Sequence, residues 1–301
     1  MTSPSERMNA IVDLQRRLRD AGYIAERPLA AALLLMLDLG RPLLLEGDAG
    51  VGKTEVAKAL ATVRGAKLIR LQCYEGLDTH SAMYEWNYQR QLLAIKLFEQ
   101  DERSVAQKEQ DIFSERYLLK RPLLEAISCA EAPVLLIDEV DRADEAFEAY
   151  LLELLSDFQL SIPELGTIRA QHRPHVILTS NRSREIGDAL RRRCLYLFVE
   201  HPALEKEVRI LRLKVPGASE QLARQIARFM QAIRRRRLSK APGVAEAIDW
   251  AQALVTLHRS HLDASTVADT LGCFLKDRHD VEDLDAAGID ALVAEAQGAE
   301  A

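Results

Sequence analysis

Apolar and polar positions change their spacing along the chain, and each change marks an element. Residues 6–21 mix charges with apolar positions and lead into Gly22-Tyr23-Ile24, which predicts a charged helix. Residues 28–39 are almost wholly apolar and stop at Gly40, which predicts a second helix. From Pro42 onward, short apolar runs alternate with helical stretches. The runs predict strands at 42–46, 67–71, 133–138, 174–179 and 195–199, and helices at 53–63, 119–130 and 144–156. A run such as Val134-Leu135-Leu136-Ile137 suits a strand buried on both faces. Such alternation predicts an α/β fold: a parallel five-stranded sheet with helices on both faces.

Past Glu200-His201-Pro202 the strand signals cease. Helices are predicted at 204–214, 219–236, 244–260 and 264–277, interrupted by Pro216-Gly217 and Pro242-Gly243. The shift places a domain boundary near 202, with residues 1–202 as the α/β part and 203–301 as a helical part. Its acidic, Ala-rich end, 280–301, reads as a frayed helix. Residues 73–118 do not fit the alternation. They contain Tyr84-Glu85-Trp86-Asn87-Tyr88, a dense aromatic patch in a chain only 5% aromatic. Two readings stand for that patch: packing of an insert onto the core, or a partner contact.

Bulk composition narrows the class. The chain has 301 residues, 48% hydrophobic and 29% charged, as in ordinary globular proteins. A net charge of −6 does not build a surface that attracts nucleic acid. Cys73, Cys129, Cys194 and Cys273 lie far apart, which argues against a zinc site or a disulfide framework and fits a reducing compartment. The polar start, 1–7, lacks an apolar signal core, and 30–39 is too short to span a bilayer. A cytoplasmic protein without a membrane span is expected.

The most specific chemistry lies after the first strand. Gly47-Asp48-Ala49-Gly50-Val51-Gly52-Lys53-Thr54 matches the phosphate-loop pattern G-x-x-x-x-G-K-[ST] at every fixed position, between a strand and a helix. Its glycines let backbone N–H groups turn toward a polyphosphate, and the following helix N-terminus favours an anion. Lys53 would reach the β- and γ-phosphates, and Thr54 would ligate Mg²⁺. Asp138-Glu139 end the apolar run 134–137, and carboxylates there are costly unless something needs them. Asp138 would hold Mg²⁺ through its water shell, and Glu139 would polarise the attacking water. Asn181, at the end of the run 175–180, is placed to align that water. Arg191-Arg192-Arg193 precede the last strand and offer a guanidinium to a phosphate. The expected cofactors are ATP and Mg²⁺.

Taken in order, the phosphate loop, the segment 135–144 (Leu-Leu-Ile-Asp-Glu-Val-Asp-Arg-Ala-Asp), Thr179-Ser180-Asn181 and Leu190-Arg191-Arg192-Arg193-Cys194 resemble a AAA+ ATPase. The resemblance implies a Walker A loop (47–54), a Walker B pair (Asp138, Glu139), sensor 1 (Asn181) and an arginine finger, Arg193 with Arg192 as runner-up. It also implies a helical lid over 203–301 and an adenine contact from the linker at Tyr23 and Ile24. Segments 138–143 and 151–155, with the hairpin-like 160–166, resemble the MoxR branch. Segments 71–78, 89–93 and 240–250 resemble its CoxD type. The MoxR resemblance implies an insert at about 73–118, a hexameric ring, a partner with a von Willebrand factor A domain, and a metalloenzyme client such as carbon monoxide dehydrogenase. Where many related lids carry a sensor arginine after a proline, this chain has Gly243 after Pro242. Lys240 or one of Arg234 to Arg237 is the substitute on offer.

Other readings compete. A DNA-dependent AAA+ machine, such as a clamp loader or helicase, is disfavoured by net charge and the lack of a recognisable DNA-binding module. A small-molecule kinase is disfavoured by Glu139, which points to water as nucleophile. The run Arg234 to Arg237 lacks interleaved aromatics and reads as a solvated helix end or an intersubunit contact. His258 and His261 share a helix spacing but have no carboxylate or Cys partner for a metal.

Overall fold

The computed structural model describes residues 4–77, 82–98 and 103–298. Asp78, part of the 71–78 segment, lies outside the described residues, as do 79–81 and 99–102 of the insert and the last residues of the acidic tail. In chain order the elements are α1 (Pro4–Asp20), α2 (Arg27–Leu39), β1 (Leu43–Glu46), α3 (Lys53–Arg64), β2 (Leu68–Gln72), β3 (Tyr84–Trp86), α4 (Tyr88–Leu97), α5 (Val105–Ile112), β4 (Leu118–Lys120), α6 (Pro122–Ile127), β5 (Val134–Asp138), α7 (Glu145–Asp157), β6 (Gln159–Ile162), β7 (Gly166–Arg169), β8 (His175–Ser180), α8 (Asp188–Arg193) and β9 (Leu195–Phe198). The helical C-terminal region follows: α9 (Leu204–Lys214), α10 (Glu220–Arg234), α11 (Val244–Thr256), α12 (Ala264–Phe274), α13 (Arg278–Glu282) and α14 (Ala286–Gln297).

By contacts the chain forms two compact units. The first holds the described parts of Met1–Leu14, Arg27–Glu46 and Ala57–Phe198; the second holds those of Gln15–Glu26, Gly47–Val56 and Val199–Ala301. In the first unit the expected five strands form one parallel sheet in the order β2-β5-β8-β1-β9. All residues of β1 and β5 are buried, as continuous apolar runs in a covered sheet demand. Because every strand runs the same way, the C-terminal ends of β1, β5 and β8 share one sheet edge. That edge carries Glu46, Asp138 and Ser180. A hairpin of β6 and β7 precedes β8, as the resemblance of 160–166 implies.

The insert resolves the two readings of its aromatics. Tyr84 and Trp86 lie on β3, which pairs with β4 in a small antiparallel ladder. Both rings are buried in the core cluster, and Trp86 meets Phe113 edge-on at 5.4 Å between centroids. Strand alternation turns Glu85 outward, while Tyr88, on α4, is exposed. Packing therefore holds for Tyr84 and Trp86, and a partner contact is left only to Tyr88. Trp86→Ala is expected to lower unfolding free energy by about 3 kcal/mol, because it opens a cavity beneath the insert. Chemical denaturation checks this, and an unshifted midpoint would contradict the placement.

In the second unit, α9–α14 enclose their own core around Trp250, Phe229 and Phe274. Several boundaries differ from expectation. β4 occupies the start of the helix predicted at 119–130, and α6 begins only at Pro122, whose fixed φ and missing N–H suit the first helical position. The helix predicted to 260 ends at Thr256, so His258, in a left-handed conformation, and His261 share no helix face. Among its described residues the tail is not frayed: α14 is capped by Asp285 and buries Ile289, Leu292, Val293 and Ala296.

Candidate functional site

Two sets of expected residues are each assembled within one unit. In the second unit, α1 is stopped by Gly22 in the left-handed region, and the N–H of Tyr23 bonds back to the Leu18 carbonyl at 2.8 Å. That turn sets Tyr23 beside the phosphate loop: a side chain built at Gly52 would lie 3.9 Å from the Tyr23 ring. Burial, with Glu26 and Glu55 nearby, pushes the Tyr23 hydroxyl up, so the ring is neutral. Ile24 follows it, half-buried. Gly47, Gly50 and Gly52 all have positive φ. At Gly47 a Cβ would fall 2.2 Å from the Val199 carbonyl oxygen, so only glycine fits. Asp48, Ala49 and Val51 complete the loop. Lys53 is buried, and its ammonium donates to the carbonyls of Gly47 and Asp48, both at 2.6 Å. Thr54 follows on the first turn of α3.

The helical region meets this loop closely. The Val244 N–H donates to the Gly50 carbonyl at 2.9 Å, and a Cβ at Gly243 would lie 2.7 Å from Gly50 Cα. No side chain fits at 243 without moving backbone, which gives a physical reason for glycine after Pro242. Nor does Arg234 stand free as its substitute. Its guanidinium grips Glu207 at 2.9 and 2.7 Å and the Pro242 carbonyl at 2.7 Å. Glu207 is fully buried and Arg234 nearly so. The expectation of a solvated run is thus corrected for Arg234, while Arg235 pairs with Glu295 and Arg236 reaches the Gly288 carbonyl. Lys240 gives its backbone N–H to Asp280. Burial and Arg234 hold the His201 imidazole below its usual value against the pull of Asp48. The ring is therefore neutral near pH 7, and its 3.6 Å approach to Asp48 is neither a salt bridge nor a hydrogen bond.

In the first unit, Asp138 ends β5 with its side chain buried. Thr179 on β8 donates to Asp138 Oδ1 at 2.5 Å and accepts from the Glu139 N–H at 2.9 Å. Glu139 itself is left-handed, with φ of 54°. A bulky residue is held there only when its surroundings over-determine it, and such strain clusters at working sites. Its carboxylate meets Arg142 at 3.2 Å. Asn181 is placed by Asp141, whose carboxylate takes the Asn181 N–H at 3.2 Å and both the N–H and hydroxyl of Ser183. Beside them, burial and then Asp138 push the Cys73 thiol up to about 12, which makes it inert.

The three arginines separate. Arg191 donates through one nitrogen, Nη2, to both oxygens of the buried Glu46 carboxylate, each at 2.7 Å. Arg193 is folded back onto Ser156 at 2.6 Å and the Ala189 carbonyl. Arg41 clamps the end of α8 through the carbonyls of Arg192, Arg193 and Cys194. Among the described residues, the exposed Arg192 guanidinium has no hydrogen-bonding or ionic partner. Neither Arg192 nor Arg193 hydrogen-bonds to Asp138 or Glu139 among them. The sequence reading missed Thr179, Asp141, Glu46 and Arg41. A polar residue at the tip of an otherwise apolar strand was the visible signal for Thr179 and Glu46; none marked Arg41.

A five-stranded parallel sheet with a glycine loop after β1, an acidic pair after β5 and a helical C-terminal region defines the P-loop AAA+ fold. The chain belongs to the family described as AAA domain (dynein-related subfamily), whose model matches residues 42–194, just over half of the chain. It is an ATPase of that class; AAA+ ATPases use ATP with Mg²⁺ and commonly assemble as rings. Among solved structures, the Thermotoga maritima RuvB Holliday junction branch migration motor is similar at 16% identity, with 92% of this chain and 72% of that one covered and a TM-score of 0.49. Two single-site mutants of the same RuvB, each 16% identical over 92% of this chain, give TM-scores of 0.51 and 0.50 and are covered to 73% and 72%. At this identity the likeness speaks to fold. No curated protein matches the chain. Among the described residues, no helix is long and apolar enough to cross a membrane, and no cluster of His, Cys, Asp and Glu forms a separate metal site.

Proposed function

We propose that this chain is a cytoplasmic AAA+ ATPase of MoxR type, CoxD-like, in which Mg²⁺-dependent ATP hydrolysis by a hexameric ring remodels or chaperones a client protein. Residues 1–202 serve as its nucleotide-binding part and 203–301 as its lid. The client is a metalloenzyme under maturation, of the carbon monoxide dehydrogenase kind, and a protein with a von Willebrand factor A domain acts with it. The observation that supports hydrolysis best is the strained Glu139, tied through its N–H to the threonine that also holds Asp138.

Each unit offers oxygen of the kind a hard divalent ion such as Mg²⁺ prefers: the Thr54 hydroxyl in one and the Asp138 carboxylate in the other. When bound, Mg²⁺ would neutralise charge on the β- and γ-phosphate oxygens. The chain's own groups do the rest. Backbone N–H groups of 47–54 cradle the phosphates, and Lys53 exchanges the Gly47 and Asp48 carbonyls for β- and γ-oxygens. Tyr23 and Ile24 contact the base. Glu139 takes the proton of the attacking water, and Asn181 aligns that water. Arg192, with its guanidinium uncommitted on a clamped helix, is better disposed than Arg193 to reach a neighbour's γ-phosphate. The exposed apolar side of α4, with Tyr88 and Leu92, offers a contact for the client. Capture from the source cell with Glu139→Gln protein as bait tests this reading. ATP-dependent retention of a metalloenzyme or a von Willebrand factor A protein is expected. DNA stimulation of hydrolysis, with no protein retained, would overturn it.

A further inference from the structure

Asp138 is already held by a cation of this chain. On the neighbouring strand β2, Arg70 donates to Asp138 Oδ2 through Nη2 at 2.6 Å and through Nε at 3.1 Å. With Thr179 on Oδ1, both carboxylate oxygens have a donor. Ladder register places Gln72, not Arg70, directly opposite Asp138, so the guanidinium reaches diagonally along the edge strand to make this contact. The same Nη2 also bonds Gln72 Oε1 at 2.5 Å. Arg70 is about half exposed while the Asp138 side chain is almost fully buried. One partner therefore opens to solvent and the other is enclosed.

We propose that Arg70 is an exchangeable counter-cation for Asp138, which a divalent metal must displace from Oδ2 before the nucleotide site is complete. A guanidinium and a dication, or its water shell, compete for the same oxygen and repel each other at contact distance. Gln72 supplies the acceptor that makes exchange inexpensive: Arg70 can yield the carboxylate and keep a hydrogen bond on its own strand. Thr179 stays on Oδ1 throughout, so the carboxylate keeps its aim while its cation changes. Arg70 is a positioning residue that sets how much metal the site requires. An edge-strand arginine that merely blunts sheet pairing would explain its exposure but not two donors on one buried oxygen.

This inference rests on the ATPase reading, and the test separates the two. Mn²⁺ binding in the presence of ADP is followed by electron paramagnetic resonance for the parent, Arg70→Gln, Arg70→Lys and, as a surface control, Lys67→Ala. The parent is expected to bind Mn²⁺ only with ADP. Arg70→Gln should bind it at least about threefold more tightly, because apparent affinity scales with the fraction of molecules whose carboxylate is open. Arg70→Lys should lie between the two, and Lys67→Ala should match the parent. Melting temperatures without metal report whether each variant folds. A parent that binds no Mn²⁺ with ADP would overturn the ATPase reading and this inference together. A parent that binds, with folded Arg70→Gln binding equally or more weakly, would overturn the exchange alone. Should Arg70→Gln not fold, Arg70→Lys carries the test: binding no tighter than the parent would overturn the exchange.

Discussion

Arg192→Ala is expected to lower ATP hydrolysis by about 10³-fold, the scale on which an arginine finger acts, while nucleotide binding by each subunit survives. The reasoning is one of commitment. Arg191 is bound to Glu46 on β1, and Arg193 to Ser156 and its own helix. A side chain so engaged must give up charge-assisted bonds before it can serve a neighbour. Arg192 has no such bonds to lose among the described residues, and Arg41 fixes the backbone that carries it. Arg193→Ala should therefore cost less than Arg192→Ala. Mixing Arg192→Ala with Lys53→Ala protein should restore part of the activity, because a mixed interface can hold one intact site. Hydrolysis by Arg192→Ala at the parent rate would contradict the assignment.

Arg234→Ala is expected to destabilise the helical region by about 3–5 kcal/mol, because it strands the buried Glu207 carboxylate without its partner. Burial alone already pushes Glu207 up, and Arg234 is what opposes that shift. Without Arg234, Glu207 should take up a proton in the folded state at higher pH than in the unfolded chain. Stability of the variant should then fall as pH rises through that range, as expected of a carboxylate with a raised value. Denaturant midpoints for the parent and for Arg234→Ala at pH 5 and pH 8 check both parts. Glu207→Gln with Arg234→Ala should recover much of the loss, because a neutral amide is cheaper to bury. A variant as stable as the parent would show that the pair is not the anchor described.

Much of this molecule is legible in its sequence where one residue type has one physical use. Continuous apolar runs at 134–137 and 175–178 gave their strands away because only a two-sided core accepts them. The glycine loop at 47–54 was visible because phosphate contact needs bare backbone. What escaped notice depends on contacts between distant segments. Arg41 meets residues some 150 positions away, and Asp141 shapes the turn around Asn181. Trp86 illustrates the same limit: an aromatic-rich stretch reads alike as anchor or as core until strand pairing shows which side it faces. Arg234 looked like one of four solvated arginines, and only the fold reveals the buried carboxylate beneath it.

The most direct measurement is ATP binding and turnover by the purified chain with Mg²⁺, with Lys53→Ala and Glu139→Gln proteins measured alongside. In the proposed site Lys53 turns to the phosphates, so Lys53→Ala is expected not to bind ATP tightly; the amide of Glu139→Gln is a poor proton acceptor, so that variant should bind ATP and not turn it over. The parent should do both. A parent that binds ATP without hydrolysing it, or a Glu139→Gln variant that hydrolyses at the parent rate, would contradict the account.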